Sequence, residues 1–241
     1  MEGTQQMVSA ILPASGSATR MRGLPKFLLP CDKDYVSLLE RHIENFLEFC
    51  ETVWVPVRPD LVPIVESLKI PEERVVILTM TTQSMTETVR RVVELSSGNR
   101  FVLAMPDTFF YGELPYQHLV ESKDPMSLAC WRIRPEQYGK LGQVEIKSAK
   151  IPHLESELPL EGFVTRAEDK NPECRFPYSW GAMAFDRAVM DFASDEMPHT
   201  GYLLPKILEK EIPIGAKVMD GEYFDCGTPS EYLAMLKRVT I

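Results

Sequence analysis

A loop of small residues followed by three cations lies near the start of the chain, in residues 13–30, PASGSATRMRGLPKFLLP. The apolar run at 7–12 before this loop is typical of a buried strand. Small side chains let backbone N–H groups approach phosphate oxygens, and the cations Arg20, Arg22 and Lys26 would neutralise their charge. The combination predicts a polyphosphate site, although composition alone is equally typical of a surface loop.

An aspartate in the middle of the chain is a candidate metal ligand. Asp107 follows the apolar run at 101–105 after a single proline, within the sequence FVLAMPDTFFYG. A carboxylate at the end of a strand can hold Mg²⁺ against phosphates, because that cation prefers oxygen ligands and shares them with substrate phosphates. The alternative is that Asp107 only caps the next turn.

Composition and spacing exclude several classes of function. The sequence contains neither G-x-G-x-x-G nor G-x-x-x-x-G-K-[ST], the spacings of dinucleotide-binding loops and P-loops. The net charge of −9 over 241 residues argues against a nucleic-acid duplex or an anionic membrane as the main partner. A local group of cations can still bind a nucleotide within such a chain.

Cysteines, histidines and hydropathy indicate a cytoplasmic protein. The five cysteines are odd in number and lack C-x-x-C spacing, which predicts reduced thiols with neither disulfides nor a zinc site. The four histidines are scattered, so we expect no metal cluster from them and place each on the surface or in a helix. No signal-peptide pattern is present and no apolar run approaches 18 residues, so no membrane span is expected.

Strand-like and helix-like segments alternate through the first half of the chain. The patterns predict strands at 7–12, 52–55, 74–78 and 101–105, and helices at 36–50, 60–68 and 84–95. Ser84 and Glu87 form the pattern of a capping box at the last helix. The alternation predicts an α/β fold with a doubly wound, mostly parallel sheet flanked by helices, whose ligands bind at the carboxyl ends of the strands.

The second half of the chain is less regular. We predict strands at 127–133, 143–146 and 178–185, helices at 186–192, 202–210 and 231–238, and an exposed loop at 152–161. The sequence YFDCGTP at 223–229 contains D-x-G-T, which is common in turns and carries little by itself.

Taken in order, these motifs resemble the sugar nucleotidyltransferase family, and within it the glucose-1-phosphate thymidylyl- and uridylyltransferases. Residues 13–30 are similar to its signature L-A-G-G-x-G-T-R-L-x-P-x-T-K-P-L-L-P, with matches at Gly16, Thr19, Arg20, Lys26, Leu28, Leu29 and Pro30. Ser15 and Ala18 stand where the family has glycine, and Phe27 stands where it usually has proline.

The resemblance implies a reaction, a metal and a set of residues. The reaction is transfer of a nucleoside monophosphate from an NTP (dTTP, UTP or CTP) to a sugar 1-phosphate, which releases pyrophosphate. The cofactor is Mg²⁺, with Asp107 and Asp225 as its ligands and Pro106 where the family usually has glycine. The implied catalytic residues are Arg20, Lys26 and Asp107, and the implied nucleotide-binding residues are Ala14, Ser15, Gly16, Ser17, Ala18, Thr19, Gln83 and Ser84.

Two segments between the aspartates resemble the sugar-phosphate elements of the family. YGKLGQVE at 138–145 is similar to Y-G-x-x-G-V-V-E, and EDKNP at 168–172 is similar to E-E-K-P. The resemblance implies that Asp169 hydrogen-bonds sugar hydroxyls and that Lys170 meets the sugar phosphate, with Gly142 and Gly181 at the sugar pocket. Taken alone, charged residues in a loop are usually only solvated.

The resemblance spans about residues 7–238, which predicts one nucleotidyltransferase domain over 1–241. Its expected parts are a nucleotide-binding part at about 7–111, a sugar-phosphate part with a smaller β insertion at about 112–225, and a C-terminal helix at about 229–239. The expected partners are an NTP and a sugar 1-phosphate, with neither nucleic acid nor membrane, and a homo-oligomer is left open.

Two alternatives accompany this prediction. One is a cytidylyltransferase that acts on a non-sugar phosphate or phosphonate. The other is a catalytically silent nucleotide- or sugar-binding protein, which the replacement of glycine by Ser15 and Ala18 favours.

Overall fold

The computed structural model describes residues 7–16, 23–68, 70–71, 73–148, 161–194 and 196–239. Its first half alternates strands and helices: β1 (Val8–Ile11), α1 (Leu38–Leu47), β2 (Thr52–Val57), α2 (Val62–Glu66), β3 (Val75–Thr79), α3 (Met85–Leu95) and β4 (Arg100–Ala104). Each element predicted from hydrophobic periodicity in this half is present. In place of one helix at 60–68, a short 3₁₀ turn at Pro59–Leu61 leads into α2.

The second half holds more strands than the sequence predicted. Its elements are β5 (Thr108–Gly112), α4 (Tyr116–Glu121), β6 (Met126–Arg132), β7 (Gly142–Ser148), β8 (Glu161–Asp169), β9 (Tyr178–Asp186), α5 (Leu203–Glu209), β10 (Ile214–Val218), β11 (Gly221–Asp225) and α6 (Pro229–Val239). The predicted helix after β9 is a 3₁₀ helix at Arg187–Phe192, and almost all of the predicted loop at 152–161 lies outside the described residues.

Within the described residues, nine strands form one sheet in the order β3-β2-β1-β4-β9-β6-β10-β8-β7. Strands β1 to β4 pair in parallel, as predicted for segments joined by crossover helices. Strand β9 runs antiparallel to both β4 and β6, and β8 runs antiparallel to both β10 and β7. The sheet is therefore mixed, and the prediction of a mostly parallel sheet holds only for its first half.

Helices cover both faces of this sheet. Because side chains alternate along a strand, Ala10 and Ile11 of β1 enter different hydrophobic clusters. Side chains of α1, α2 and α4 belong to one cluster, and those of α3 and α5 belong to the other. None of the helices in the described parts of the chain is both long enough and apolar enough to cross a membrane.

A buried histidine joins α1 to the segment after β4. His42 donates from Nε2 to the carbonyl oxygen of Thr108 at 2.9 Å, which leaves Nδ1 to accept from the hydroxyl of Tyr116 at 2.8 Å. Burial lowers the pKa of His42 to about 4. A neutral histidine therefore fixes the backbone directly after Asp107.

The pKa of His42 predicts a loss of stability in acid. Below the usual histidine pKa of 6.5, the unfolded chain binds a proton at His42 that the folded chain does not. Between pH 7.5 and 5 this difference should lower the free energy of unfolding by about 2 kcal/mol. His42→Gln keeps an N–H donor and cannot titrate, so its urea-unfolding free energy should fall less over this range. Equal losses in both proteins would contradict the assignment.

Candidate active site

Strand pairing brings the two predicted metal ligands together. In the β5–β11 ladder Thr108 lies opposite Asp225, so Asp107 and Asp225 meet at one end of this two-stranded sheet. A Cβ built on Gly227 would lie 2.6 Å from Asp225 Oδ1, 3.1 Å from Lys26 Nζ and 3.4 Å from Asp107 Oδ2. Lys26 Nζ itself lies 3.4 Å from Asp107 Oδ2. Two carboxylates and one lysine thus surround the backbone of a single glycine.

Burial and neighbouring charges shift the pKa values of Asp107 and Tyr223 at this site. Burial, and then the negative charge of Asp225, raise the pKa of the Asp107 carboxyl, while Lys26 lowers it. Burial also raises the pKa of Tyr223 well above its usual value, and the two aspartates add to that shift. Additional positive charge between the aspartates would therefore stabilise both carboxylates in their ionised form.

The donor set fits a magnesium ion shared with phosphates. Among the described residues, no group of three or more His, Cys, Asp and Glu side chains is arranged to hold a metal. Mg²⁺ commonly takes one or two carboxylates from the protein and fills its shell with water and substrate phosphates. Asp107 and Asp225 offer that arrangement, so the residues present fit the ion that the sequence predicted.

A cleft of about 150 Å³ runs from these aspartates along the ends of β7, β8 and β9. The four residues predicted to contact a sugar phosphate line the same cleft as the aspartates. Its lining consists of Met85, Met105, Asp107, Thr108, Lys140, Leu141, Gly142, Asp169, Lys170, Trp180, Gly181, His199, Tyr223 and Asp225. Candidate metal ligands and candidate sugar-phosphate residues therefore share one site.

Small residues shape the floor of the cleft. A Cβ on Gly181 would lie 2.6 Å from two ring carbons of Tyr223, so the aromatic ring occupies the space that a side chain would need.

Lys170 follows β8 with a φ of 48°, in the left-handed region that non-glycine residues seldom adopt. Its backbone N–H donates to the carbonyl oxygen of Leu141 at 3.3 Å, which ties the two predicted sugar-phosphate segments together.

The described part of the first loop lies beside α3. The N–H of Ala14 is already used, because it donates to the carbonyl oxygen of Pro56 at 2.9 Å. Ser15 Oγ lies 3.1 Å from the hydroxyl of the fully buried Thr88. Gly16 is exposed, and its carbonyl oxygen accepts a 3.4 Å hydrogen bond from Arg58. The predicted residues Ser17, Ala18, Thr19 and Arg20 lie outside the described residues.

The start of α3 uses the predicted capping residues. Ser84 Oγ accepts from the N–H of Glu87 at 3.0 Å, as in a capping box. The Glu87 carboxylate accepts from the N–H of Gln83 at 2.7 Å rather than from that of Ser84, so the reciprocal bond is shifted by one residue. The hydroxyl of Thr88 donates to the Ser84 carbonyl oxygen at 3.0 Å and joins this turn to Thr82, 2.6 Å away. The Gln83 residue is exposed.

Solved structures resemble this chain over nearly its whole length. A UDP-glucose pyrophosphorylase complexed with UDP-glucose aligns with 97% of this chain and 98% of its own, at a TM-score of 0.77 and 13% identity. A protein described as a glucose-1-phosphate thymidylyltransferase from Bacillus anthracis, in complex with a sucrose, covers 96% and 95%, at 0.76 and 13%. A UTP-bound UGPase from Acinetobacter baumannii covers 97% and 93%, at 0.72 and 13%.

The chain has the nucleotidyltransferase fold. No protein-family model and no curated protein sequence matches it. Sequence identities of 13% show a shared fold and not a shared reaction.

Three residues in the cleft of this nucleotidyltransferase fold were not expected from the sequence. These residues are Trp180, His199 and Tyr223. The sequence predicted that His199 lies on the surface or in a helix, whereas it is half-buried and lies in neither. It precedes a 3₁₀ turn and pairs with Asp169. The only signal in the sequence was the proximity of Trp180 and Tyr223 to glycine-containing motifs, which does not show where their rings lie.

One cation near the first loop was also missed. Arg58 directly follows β2, so it lies at the same edge of the parallel sheet as the loop after β1. The strand predicted at 52–55 was enough to indicate this position of Arg58, because the carboxyl ends of parallel strands lie at one edge of the sheet. Arg58 is paired with Asp60 at 2.9 Å, which leaves it only partly available to an anion.

Proposed function

We propose that this protein transfers a nucleoside monophosphate from an NTP, with dTTP, UTP and CTP as the candidate donors, to a sugar 1-phosphate and releases pyrophosphate. The observation that carries the proposal is the set of charged residues that line one cleft. Asp107 and Asp225 line this cleft together with Asp169 and Lys170, and Lys26 Nζ lies 3.4 Å from Asp107 Oδ2. A cation with metal-binding carboxylates suits a polyphosphate, and an acid beside a second cation suits a hydroxylated phosphate.

The reaction needs positioning and charge neutralisation more than proton transfer. The attacking oxygen of a phosphate monoester is already anionic near neutral pH, so no general base is required. Lys26 would bind the phosphates of the NTP, and Arg20 is proposed as a second cation on them. Mg²⁺, when held by Asp107 and Asp225, would supply positive charge to the same phosphates.

The nucleotide would lie against the first loop and the start of α3. We propose the backbone of that loop as the phosphate-binding surface and the turn before α3 as the base-binding surface, where Gln83 has both a donor and an acceptor. The proposed nucleotide-binding residues are Ala14, Ser15, Gly16, Ser17, Ala18, Thr19, Gln83 and Ser84. In the described part of this set, Ser15 reaches the α3 turn through Thr88.

Incubation of each NTP with each of several sugar 1-phosphates tests the proposal. We expect pyrophosphate release with at least one pair and only when Mg²⁺ is present. Release with an alkyl phosphonate but with no sugar phosphate would favour the cytidylyltransferase alternative. NTP binding without release from any acceptor would favour the silent binder.

Lys170 offers a test of the acceptor end alone. Lys170→Ala should raise KM for the sugar 1-phosphate about 10- to 100-fold, because it removes a charge-assisted hydrogen bond to the acceptor phosphate. The Kd for NTP, measured by calorimetry, should stay within about threefold of the wild-type value. Lys123→Ala, at an exposed lysine away from the cleft, is the matched control and should change neither. Lost NTP affinity with normal KM for the acceptor would contradict the assigned role.

A further inference from the structure

Two side chains bind the backbone of the strand that carries Asp225. Within the described residues, β11 pairs with β5 alone. The carbonyl oxygen of Tyr223, next but one before Asp225, accepts from Arg134 Nη1 and from Gln137 Nε2, each at 3.1 Å. Side-chain donors therefore hold β11 at a carbonyl close to Asp225.

The same arginine also binds the helix that follows Asp225. Arg134 Nη2 donates to Oε2 of Glu231, in the first turn of α6, at 2.7 Å. Gln137 Nε2 lies 3.4 Å from that oxygen, and Gln137 Oε1 accepts from the backbone N–H of Arg134 at 3.0 Å. Gln137 and Glu231 are buried. One guanidinium thus links the residues before and after the turn at 225–228.

The turn at 225–228 sets the orientation of the Asp225 side chain. Asp225 Oδ1 accepts from the backbone N–H of Gly227 at 3.0 Å. Thr228 Oγ1 accepts from the backbone N–H of Glu231 at 3.4 Å, so the end of the turn is joined to the glutamate on α6. A movement of either end of the turn would therefore change the position of the Asp225 carboxylate.

We infer that Arg134 is a positioning residue for Asp225, and that it acts with Gln137 and Glu231 as a turn clamp. The inference rests on the proposed function for the role of Asp225 as a metal ligand. Arg134 does not line the cleft, so its effect on a metal would pass through the turn. Ligand groups of a metal site have to be held within about 0.5 Å of their productive positions. A guanidinium can bind the Tyr223 carbonyl and the Glu231 carboxylate together because its donors point in fixed directions, which the ammonium of lysine cannot reproduce.

Arg134→Lys in the full chain tests the turn clamp, because it keeps the charge and loses the bridge. The probe is Mn²⁺ alone, an ion that takes the same oxygen ligands as Mg²⁺ and whose free concentration is measured by electron paramagnetic resonance. The wild type should bind Mn²⁺, and Asp225→Asn should lose most of that affinity. Arg134→Lys should weaken the Kd for Mn²⁺ about tenfold, because Asp225 is no longer held in place.

Arg238→Lys is the matched control. Arg238 also joins α6 to β11, since its Nε lies 2.6 Å from Glu222 Oε2, and its guanidinium lies over an aromatic ring, as does that of Arg134. Glu222 lies near the other end of β11 from Asp225. The same substitution there should leave the Kd for Mn²⁺ within about twofold of the wild-type value.

Two further variants test whether the effect passes through Asp225. In the Asp225→Asn background, Arg134→Lys should change the residual affinity by less than about twofold, since effects on interacting residues are not additive. Gln137→Met removes the second donor to the Tyr223 carbonyl and should weaken the Kd for Mn²⁺ about threefold. That variant keeps the turn clamp testable if Arg134→Lys does not fold.

The possible outcomes separate the turn clamp from the proposed function. A wild-type Kd in both Arg134→Lys and Gln137→Met, or an equal loss in Arg238→Lys, would overturn the turn clamp and leave the metal site in place. No Mn²⁺ binding by the wild type, or equal binding by Asp225→Asn, would overturn the proposed metal site and with it the inference. The expected pattern of Mn²⁺ binding without pyrophosphate release from any NTP would overturn the proposed transfer and leave the turn clamp intact.

Discussion

Asp107→Asn should lower the rate of pyrophosphate release about 10²- to 10³-fold. The substitution keeps the shape of the side chain and removes the charge of one of the two proposed metal-binding carboxylates, which lies 3.4 Å from Lys26 Nζ. The loss corresponds to about 2–4 kcal/mol of transition-state stabilisation. Steady-state kcat at saturating NTP and sugar 1-phosphate is the measurement. The fold should survive, because neutralising one of two neighbouring carboxylates relieves their repulsion.

Two controls make this result specific. Asp34→Asn, the same change at an exposed position, should leave kcat unaltered. In the wild type, EDTA should abolish release and added Mg²⁺ should restore it. Turnover that EDTA does not diminish would contradict the proposal that Asp107 and Asp225 are metal ligands.

Gly227→Ala should separate activity from stability. The new Cβ would lie 2.6 Å from Asp225 Oδ1 and 3.1 Å from Lys26 Nζ, so at least one of these groups must move. Both atoms are the ends of flexible side chains, and Gly227 has no positive φ, so the backbone tolerates alanine. Displacement of a catalytic group by about 1 Å can cost about 10² in rate. We expect kcat/KM to fall about 10²-fold while Tm changes by less than about 4 °C.

A second glycine provides the matched comparison for Gly227. At Gly98 an added Cβ would approach Ser9 Oγ at 3.3 Å, away from the cleft, so Gly98→Ala should leave kcat/KM within about twofold of wild type. If Gly227→Ala were fully active, Asp225 and Lys26 would not need their observed positions, and the proposed metal site would be wrong.

The first half of the fold followed from the sequence because each element there has its own periodic signal. The helix predicted at 36–50 is α1, which begins at Leu38 because Ser37 is its N-cap and forms a complete capping box with Glu40. The turn after α1 ends the helix before Cys50, although Cys50 is still buried on the same face. Hydrophobic spacing alone does not show where a helix ends when buried residues continue beyond it.

The second half depended on pairings that no local pattern reveals. Strands β5 and β11 are only five residues each and pair with one another across more than a hundred positions. That single ladder sets Asp225 beside Asp107, so the proposed metal site depends on tertiary pairing. β9 likewise pairs with β4 and β6 in the antiparallel sense, which made the sheet mixed. Alternation of strands and helices in the sequence carries no information on these contacts.

The same limit applies to the cleft. Motif order placed Asp107, Asp169, Lys170 and Asp225 in one proposed site, and all four line one cleft. His199, whose Nε2 lies 3.0 Å from Asp169 Oδ2, stands outside any motif, because that contact is made across the fold and leaves no spacing pattern along the chain. The roles of these residues remain predictions, as do those of Ser17, Ala18, Thr19 and Arg20, whose segment lies outside the described residues.

Transfer of a labelled α-phosphate tests the central proposal most directly. Wild-type protein would be incubated with Mg²⁺, α-³²P-labelled UTP, dTTP or CTP, and a hexose 1-phosphate, and the products would be separated by chromatography. The proposal predicts that label appears in a nucleoside diphosphate sugar, in equal amount to the pyrophosphate released and only when the sugar phosphate is present. Label that stays in the NTP, or that appears as free nucleoside monophosphate whether or not sugar phosphate is added, would contradict it.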